Sequence, residues 1–254
     1  MATNSTSKNP SFEANIDAYY ENWLIQLENF LEKLNEVSAS YDVFNEENIS
    51  KLVTQVLDHY QEYYQEKFKA TNGDIFLLNS PPWYTSLERT LLWMAGFKPS
   101  MLFPTINYSI GQELTPEQGE KLKRLKSEIR REEKAIEKGM AKVQESMAAP
   151  PIFELMKRGG FLVDGEASEL ETVIDGLKQS MMAVIETAEH LRGAAVRKVL
   201  DILPPKQAVK LLAAVAQFHL QARKCGLRMD NQSEQYEKTN SFDEFITLFI
   251  VGFN

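Results

Sequence analysis

The chain has 254 residues, with 28 Lys and Arg against 36 Asp and Glu and a net charge of −8. That length can bury a sizeable core, and the acidic balance excludes a protein whose main task is coating nucleic acid, because phosphate binding needs a basic surface. A single cysteine, Cys225, rules out an intramolecular disulfide and a cysteine-built zinc site, which fits a reducing compartment, nucleus or cytoplasm.

The first ten residues are polar, carry no apolar stretch of the secretory kind, and read as a disordered leader. From Phe12 to Leu34 apolar residues recur at spacings of three and four, among them Tyr19, Tyr20, Trp23, Leu27 and Phe30. This spacing predicts an amphipathic helix to about Glu36. A second helix carries Ile49, Leu52, Val53, Val56, Leu57, Tyr60, Tyr64 and Phe68, and Asn72-Gly73 breaks it. Ser80-Pro81-Pro82 is expected to open a third, holding Leu87, Leu91, Leu92 and Trp93 and ending at Gly96 with a positive φ. Lys98-Pro99-Ser100 begins a further short one.

Thr115-Pro116-Glu117-Gln118 is a capping box with proline at the first helical position. The helix behind it runs to about Met147, where Pro150-Pro151 stops it. Its apolar seam passes through Leu122, Leu125, Ile129 and Ile136, then shifts to Met140, Val143 and Met147. Ser168-Glu169-Leu170-Glu171 reads as another capping box, opening a long helix. After Pro204-Pro205, residues 206–225 are apolar nearly all round, as in a helix at the centre of a core, with Gly226 as its C-terminal cap. The organisation expected is a leader over 1–10, a helical domain over 11–228, and a linker with a short apolar tail over 229–254. No stretch is apolar for long enough to span a bilayer. The fold class is all-α: a multi-helix bundle of about seven to nine helices with one long charged helix.

Chemistry-bearing motifs are sparse. Neither a Gly-rich phosphate loop nor H-E-x-x-H occurs. His59 and His190 read as surface or half-buried helix residues. His219 lies in the most apolar helix, where a buried imidazole needs a partner. A satisfied core histidine is the main reading, and a metal or haem ligand the alternative. Lys121, Lys123, Arg124, Lys126, Arg130, Arg131 and Lys134 share their helix with seven glutamates, which makes a solvated helix face, or a contact with an acidic partner, a better account than nucleic-acid binding. Cys225 reads as packed at a helix end, with redox sensitivity as its alternative.

Four segments resemble one plant family in its order. Tyr20-Glu21-Asn22-Trp23-Leu24 resembles the Y-x-x-W-L opening of the domain shared by Delay-of-Germination proteins and the C-terminal region of TGA transcription factors. Leu91-Leu92-Trp93-Met94-Ala95-Gly96-Phe97-Lys98-Pro99-Ser100 is similar to its L-W-[IL]-G-G-F-[RK]-P-S signature. Leu114-Thr115-Pro116-Glu117-Gln118 matches its L-T-P-x-Q helix start, and Gly139-Met140-Ala141-Lys142-Val143-Gln144 its G-M-x-K-x-Q stretch. Together they span about residues 12–147. Two departures stand out: Ala95 replaces a usual glycine, and only about eleven residues stand where TGA factors carry a basic zipper.

The resemblance implies a non-enzymatic plant regulator in seed dormancy and abscisic-acid signalling or related development, linked to transcription regulation. It implies type 2C protein phosphatases or zipper-bearing TGA factors as partners, and no direct DNA binding, since no basic helix is present to enter a major groove. Tyr19, Tyr20, Trp23 and Phe30 are the candidate partner-binding anchors, aromatic residues of the kind that dominate interfaces. Trp93, Gly96, Phe97 and Pro99 form a structural signature. A homodimer through the 117–147 seam is a further expectation. Some relatives bind haem through paired histidines near the last helix, but His219 has no histidine at i+4.

Overall fold

The computed structural model describes residues 10–40, 45–70, 74–150, 152–157 and 166–239. Among them are nine α-helices: α1 (Pro10–Ala39), α2 (Glu46–Ala70), α3 (Ile75–Asn79), α4 (Ser86–Thr90), α5 (Leu102–Ile110), α6 (Pro116–Met147), α7 (Ile152–Lys157), α8 (Glu166–Ile202) and α9 (Pro205–Thr239). A 3₁₀ turn, Pro99–Met101, leads into α5, and another, Gly111–Glu113, follows it. The described residues form no strand, only an isolated bridge between Trp93 and Gly96. The all-α expectation is met. The tail over 242–253 and the leader up to residue 9 lie outside the described residues.

Two helical layers share α9. In the first, α1 packs antiparallel to both α2 and α9: Tyr20 meets Tyr63, and Glu21 meets Arg223. In the second, α6 runs antiparallel to α8, with Glu128 paired to Lys198 at 2.5 Å near one end and Gly139 facing Val184 towards the other. The cores differ in kind. Leu122, Leu125, Ile129 and Ile136 of α6 pack with Leu191, Ala195 and Val199 of α8 and with Phe103 and Ile106 of α5 in an aliphatic cluster. Tyr20, Trp23, Tyr63 and Trp83 dominate one cluster between α1, α2 and α9, and Leu34, Val37, Ile49, Val56, Val209 and Leu212 form a second, aliphatic one at the other end of the same helices.

The α6 seam is therefore an internal contact. Leu122, Leu125 and Ile129 are 2–5% exposed, so this part of the expected dimer seam is taken up inside the chain, while Met147 at its far end is 40% exposed. The Thr115 capping box forms as read, its hydroxyl accepting from Gln118 N and the Gln118 amide oxygen accepting from Thr115 N.

Other boundaries depart from the sequence reading, each for a physical reason. The helix assigned to Pro81-Pro82 starts later, at a capping box of Thr85 and Glu88, and stops at Thr90. Trp93 therefore lies outside it, in a tight reversal where Trp93 N donates to Gly96 O and Gly96 N to Trp93 O. The positive φ angles fall on Met94 (47°) and Ala95 (64°), not on Gly96. Ala95 holds a left-handed conformation that glycine adopts without strain, which accounts for the glycine usual in the family there. Ser168 is already inside α8, its carbonyl accepting from Thr172, so its capping box does not form. Nor does Gly226 end its helix. It lies within α9 where Thr85 crosses, and a Cβ there would sit 2.1 Å from Thr85 Oγ1. The linker expected from 229 is helical to Thr239, and Cys225 is exposed in mid-helix rather than packed at an end.

Candidate functional site

The residues singled out in the sequence converge where α1, α2 and α9 meet the segment from Trp83 to Phe97. Trp23 and His59 bind reciprocally. Trp23 Nε1 donates to His59 O at 3.0 Å, and His59 Nε2 lies 3.1 Å from Trp23 O. A carbonyl only accepts, so Nε2 carries the imidazole proton. The two rings stack at 5.0 Å. His59 is 5% exposed, which corrects its reading as a surface or half-buried residue, and burial lowers its pKa.

Around this pair the phenols of Tyr20, Tyr60, Tyr63 and Tyr84 are each tied into a hydrogen bond. Trp83 Nε1 donates to the Tyr63 hydroxyl at 3.2 Å, Tyr63 to the Tyr84 hydroxyl at 2.6 Å, and Tyr20 to Glu88 Oε1 at 2.6 Å. Burial pushes the pKa values of Tyr20, Tyr60, Tyr63 and Tyr84 upward, and that of Tyr64 up to about 12. They are neutral hydrogen-bond donors, not bases.

Two arginines and a lysine fasten the irregular segment. Arg223 of α9 donates to Trp83 O at 2.9 Å and Glu88 Oε2 at 3.1 Å, and also binds Glu21 of α1. Arg192 of α8 donates through Nε to Phe97 O at 2.8 Å and through Nη2 to Trp93 O and Met94 O, at 2.5 and 2.6 Å. Its Nη1 lies 2.5 Å from Glu189 Oε1. Lys67 of α2, 2% exposed, donates to Ala95 O at 2.6 Å. Four successive or near-successive carbonyls, which a two-residue reversal leaves without helical partners, are thus satisfied by two buried cations. Burial brings the Lys67 amine down to about 7. Gly96 is required by space rather than by φ, since a Cβ there would lie 2.7 Å from the Arg192 guanidinium. Trp93 sits between Arg192 and Lys98, each within 6 Å of its ring, and donates to Glu137 Oε1 at 3.1 Å. Pro99 opens the 3₁₀ turn before α5.

The expected interface anchors are therefore mostly interior. Tyr20 and Trp23 are each 3% exposed. They alternate with polar residues on α1, but the face they occupy is the one α2 and α9 cover, and only Tyr19 and Phe30 keep partial exposure. His219 is a packed histidine. Its Nδ1 lies 3.1 Å from the Tyr60 hydroxyl, and its ring stands 4.4 Å from Phe97. Burial lowers its pKa to about 4, so it is neutral at physiological pH. The void beside it, lined by Trp23, Tyr60, Phe97 and Gly96 among others, measures about 10 Å³, room for one water. A haem does not fit without displacing Phe97 and Trp23. No group of three or more metal-ligating side chains occurs among the described residues, and none of their helices is long and apolar enough to cross a membrane.

Sequence reasoning missed Lys67, Glu88, Arg192 and Arg223. Only Glu88 carried a local signal, because Thr85-Ser86-Leu87-Glu88 is itself a capping-box pattern. The others act across 28 to 202 residues of chain.

Residues 26–107 match the family model described as DOG1, seed dormancy control. The chain is 38% identical to the Arabidopsis thaliana protein RESPONSE TO ABA AND SALT 1, over 86% of this chain and 96% of that protein. It is 33% identical to Protein ZW2 of the same plant, over 83% and 95%. Transcription factor TGA7, also from Arabidopsis thaliana, is 26% identical over 81% of this chain but only 54% of its own length.

Proposed function

Because the chain belongs to the DOG1 family of seed dormancy control, we propose that it is a plant regulatory protein that works by binding other proteins, without catalysing a reaction or reading bases. Its similarity to relatives named for response to ABA and salt and for transcription supports a role in abscisic-acid signalling or dormancy, linked to transcription. The observation that carries the reading is how the site's polar groups are engaged. Glu88, Arg192, Arg223 and Lys67 each bind a backbone or side-chain partner inside the fold, and the phenols are held protonated by burial. Such a hub keeps surfaces in register, and recognition falls to those surfaces.

The partners we propose are type 2C protein phosphatases or zipper-bearing TGA factors, met in nucleus or cytoplasm. Immobilised chain should retain a purified type 2C phosphatase or a TGA factor, and should not shift TGA-site DNA by itself. Retention of neither protein, or a shift by the chain alone, overturns the proposal.

A further inference from the structure

The α6 face that turns away from α8 forms one wall of an open groove of about 790 Å³ closed by Lys98 and Ser100. Two of its carboxylates are turned inward. Glu133, 2% exposed, accepts from Ser100 N at 2.7 Å, and Glu137 accepts from Lys98 Nζ at 2.6 Å and from Trp93. The cations around them, Arg130, Arg131, Lys134 and Lys138, are all exposed and make no ion pair among the described residues. The lining thus carries five cations against two carboxylates, a local positive excess on a chain whose net charge is −8.

We propose that this groove binds an acidic segment of a protein partner, a short extended run of Asp and Glu. This rests on the partner-binding reading above and names the chemistry of the partner. Arg130, Lys134 and Lys138 recur at a helical spacing of four and line one ridge, with Arg131 beside it. A segment with several carboxylates can lie along that ridge and place one charge at each, with arginine suited to bidentate contact. A nucleic acid is disfavoured by the same numbers. A duplex extends well beyond one groove, and the surrounding surface of an acidic chain repels its remaining phosphates. Rim contacts of this kind act mainly on encounter and selectivity, and salt weakens them.

The test uses the full chain and a fluorescein-labelled octapeptide of alternating Asp and Glu, read by anisotropy, with a scrambled Ser/Gly octapeptide and a single-stranded DNA octamer as comparisons. The acidic peptide should bind at least tenfold more tightly than the neutral one and the DNA, and about tenfold more weakly after NaCl is raised from 50 to 300 mM. The triple variant R130E/R131E/K134E should lose at least tenfold, while K123E, on α6 outside the groove, stays within twofold. Circular dichroism melts of all variants should coincide, since every substituted residue is exposed. No preference over the neutral peptide, an equal loss in K123E, or tighter binding of the DNA overturns the proposal. If the phosphatase or TGA factor is still retained by the triple variant as well as by the unaltered chain, the groove assignment fails while the partner-binding function stands.

Discussion

The two cores of this molecule are built on different principles. Between α6 and α8 the contact is aliphatic, a seam of Leu122, Leu125, Ile129 and Ile136 against Leu191, Ala195 and Val199. Such packing depends on volume and pattern and tolerates swaps that keep both. Where the first half of α1 meets the second half of α2 and the later part of α9, the core is aromatic and threaded with hydrogen bonds, so each group has both a shape and a partner to satisfy. At the other end of the same three helices Leu34, Val37, Ile49, Val56, Val209 and Leu212 return to aliphatic packing. The first kind of core sets that helices pack, and the second sets how an irregular segment, Trp83 to Phe97, lies against them. The family signature bridges the two: Trp93 packs against the aliphatic cluster, and Phe97 stands against His219 of α9.

The comparison breaks most visibly at Arg192. Its replacement by Met removes the donors of Phe97, Trp93 and Met94 carbonyls at once and should cost about 4 kcal/mol in urea denaturation. A loss under about 1 kcal/mol would mean that water replaces the guanidinium. Next comes Gly226→Ala, whose new Cβ meets the stiff, buried Thr85 side chain that caps α4. It should cost about 3 kcal/mol by thermal melt. Gly139→Ala, on α6 with Val184 at an ordinary 3.6 Å, should instead be neutral or stabilising by up to about 1 kcal/mol through helix propensity.

Acid separates the cores as well. His219 has a pKa of about 4 in the fold against about 6.5 unfolded, so the unfolded chain binds the extra proton between those values. Stability is fully present above about pH 6.5 and falls as the pH drops towards 4. The loss attributable to His219 is about 2 kcal/mol at pH 5. His219→Gln should remove that part of the slope, and the same slope in the variant would contradict the assignment. The smallest effect is a pair of near-isosteric changes. Tyr20→Phe loses the bond to Glu88 Oε1 and should cost about 1.5 kcal/mol. Ile129→Leu, in the aliphatic core, should cost under about 1 kcal/mol. Equal costs would erase the distinction.

Legibility in the sequence follows the same division. Helices α1, α2 and α6 announce themselves by period, and Thr115 and Pro99 mark starts because caps are local. Trp23 is different: its period placed it on one face of α1, but period does not say whether that face meets a neighbour or water. It meets α2 and α9. Lys67 and Arg192 were invisible as ligands of the 93–97 reversal, since neither lies near it in the chain. Gly226 reads alone as a stop, and only the crossing of Thr85 gives it another reason to be there. The unpaired cations of α6 were visible as residues, but the inward turn of Glu133 and Glu137 beside them was not.

The antiparallel pairing of α1 with α9 has a consequence for how the protein is made. Glu21 and Arg223 are 202 residues apart in the chain. At about 5–20 residues per second of synthesis, α1 waits on the order of 10–40 s for the helix that covers it. During that interval the Tyr20, Trp23 and Leu27 face can be covered by α2 alone. The α6–α8 hairpin needs no such delay, so the ribosome releases a chain whose later-made half is ready to fold before its first helix has found its cover.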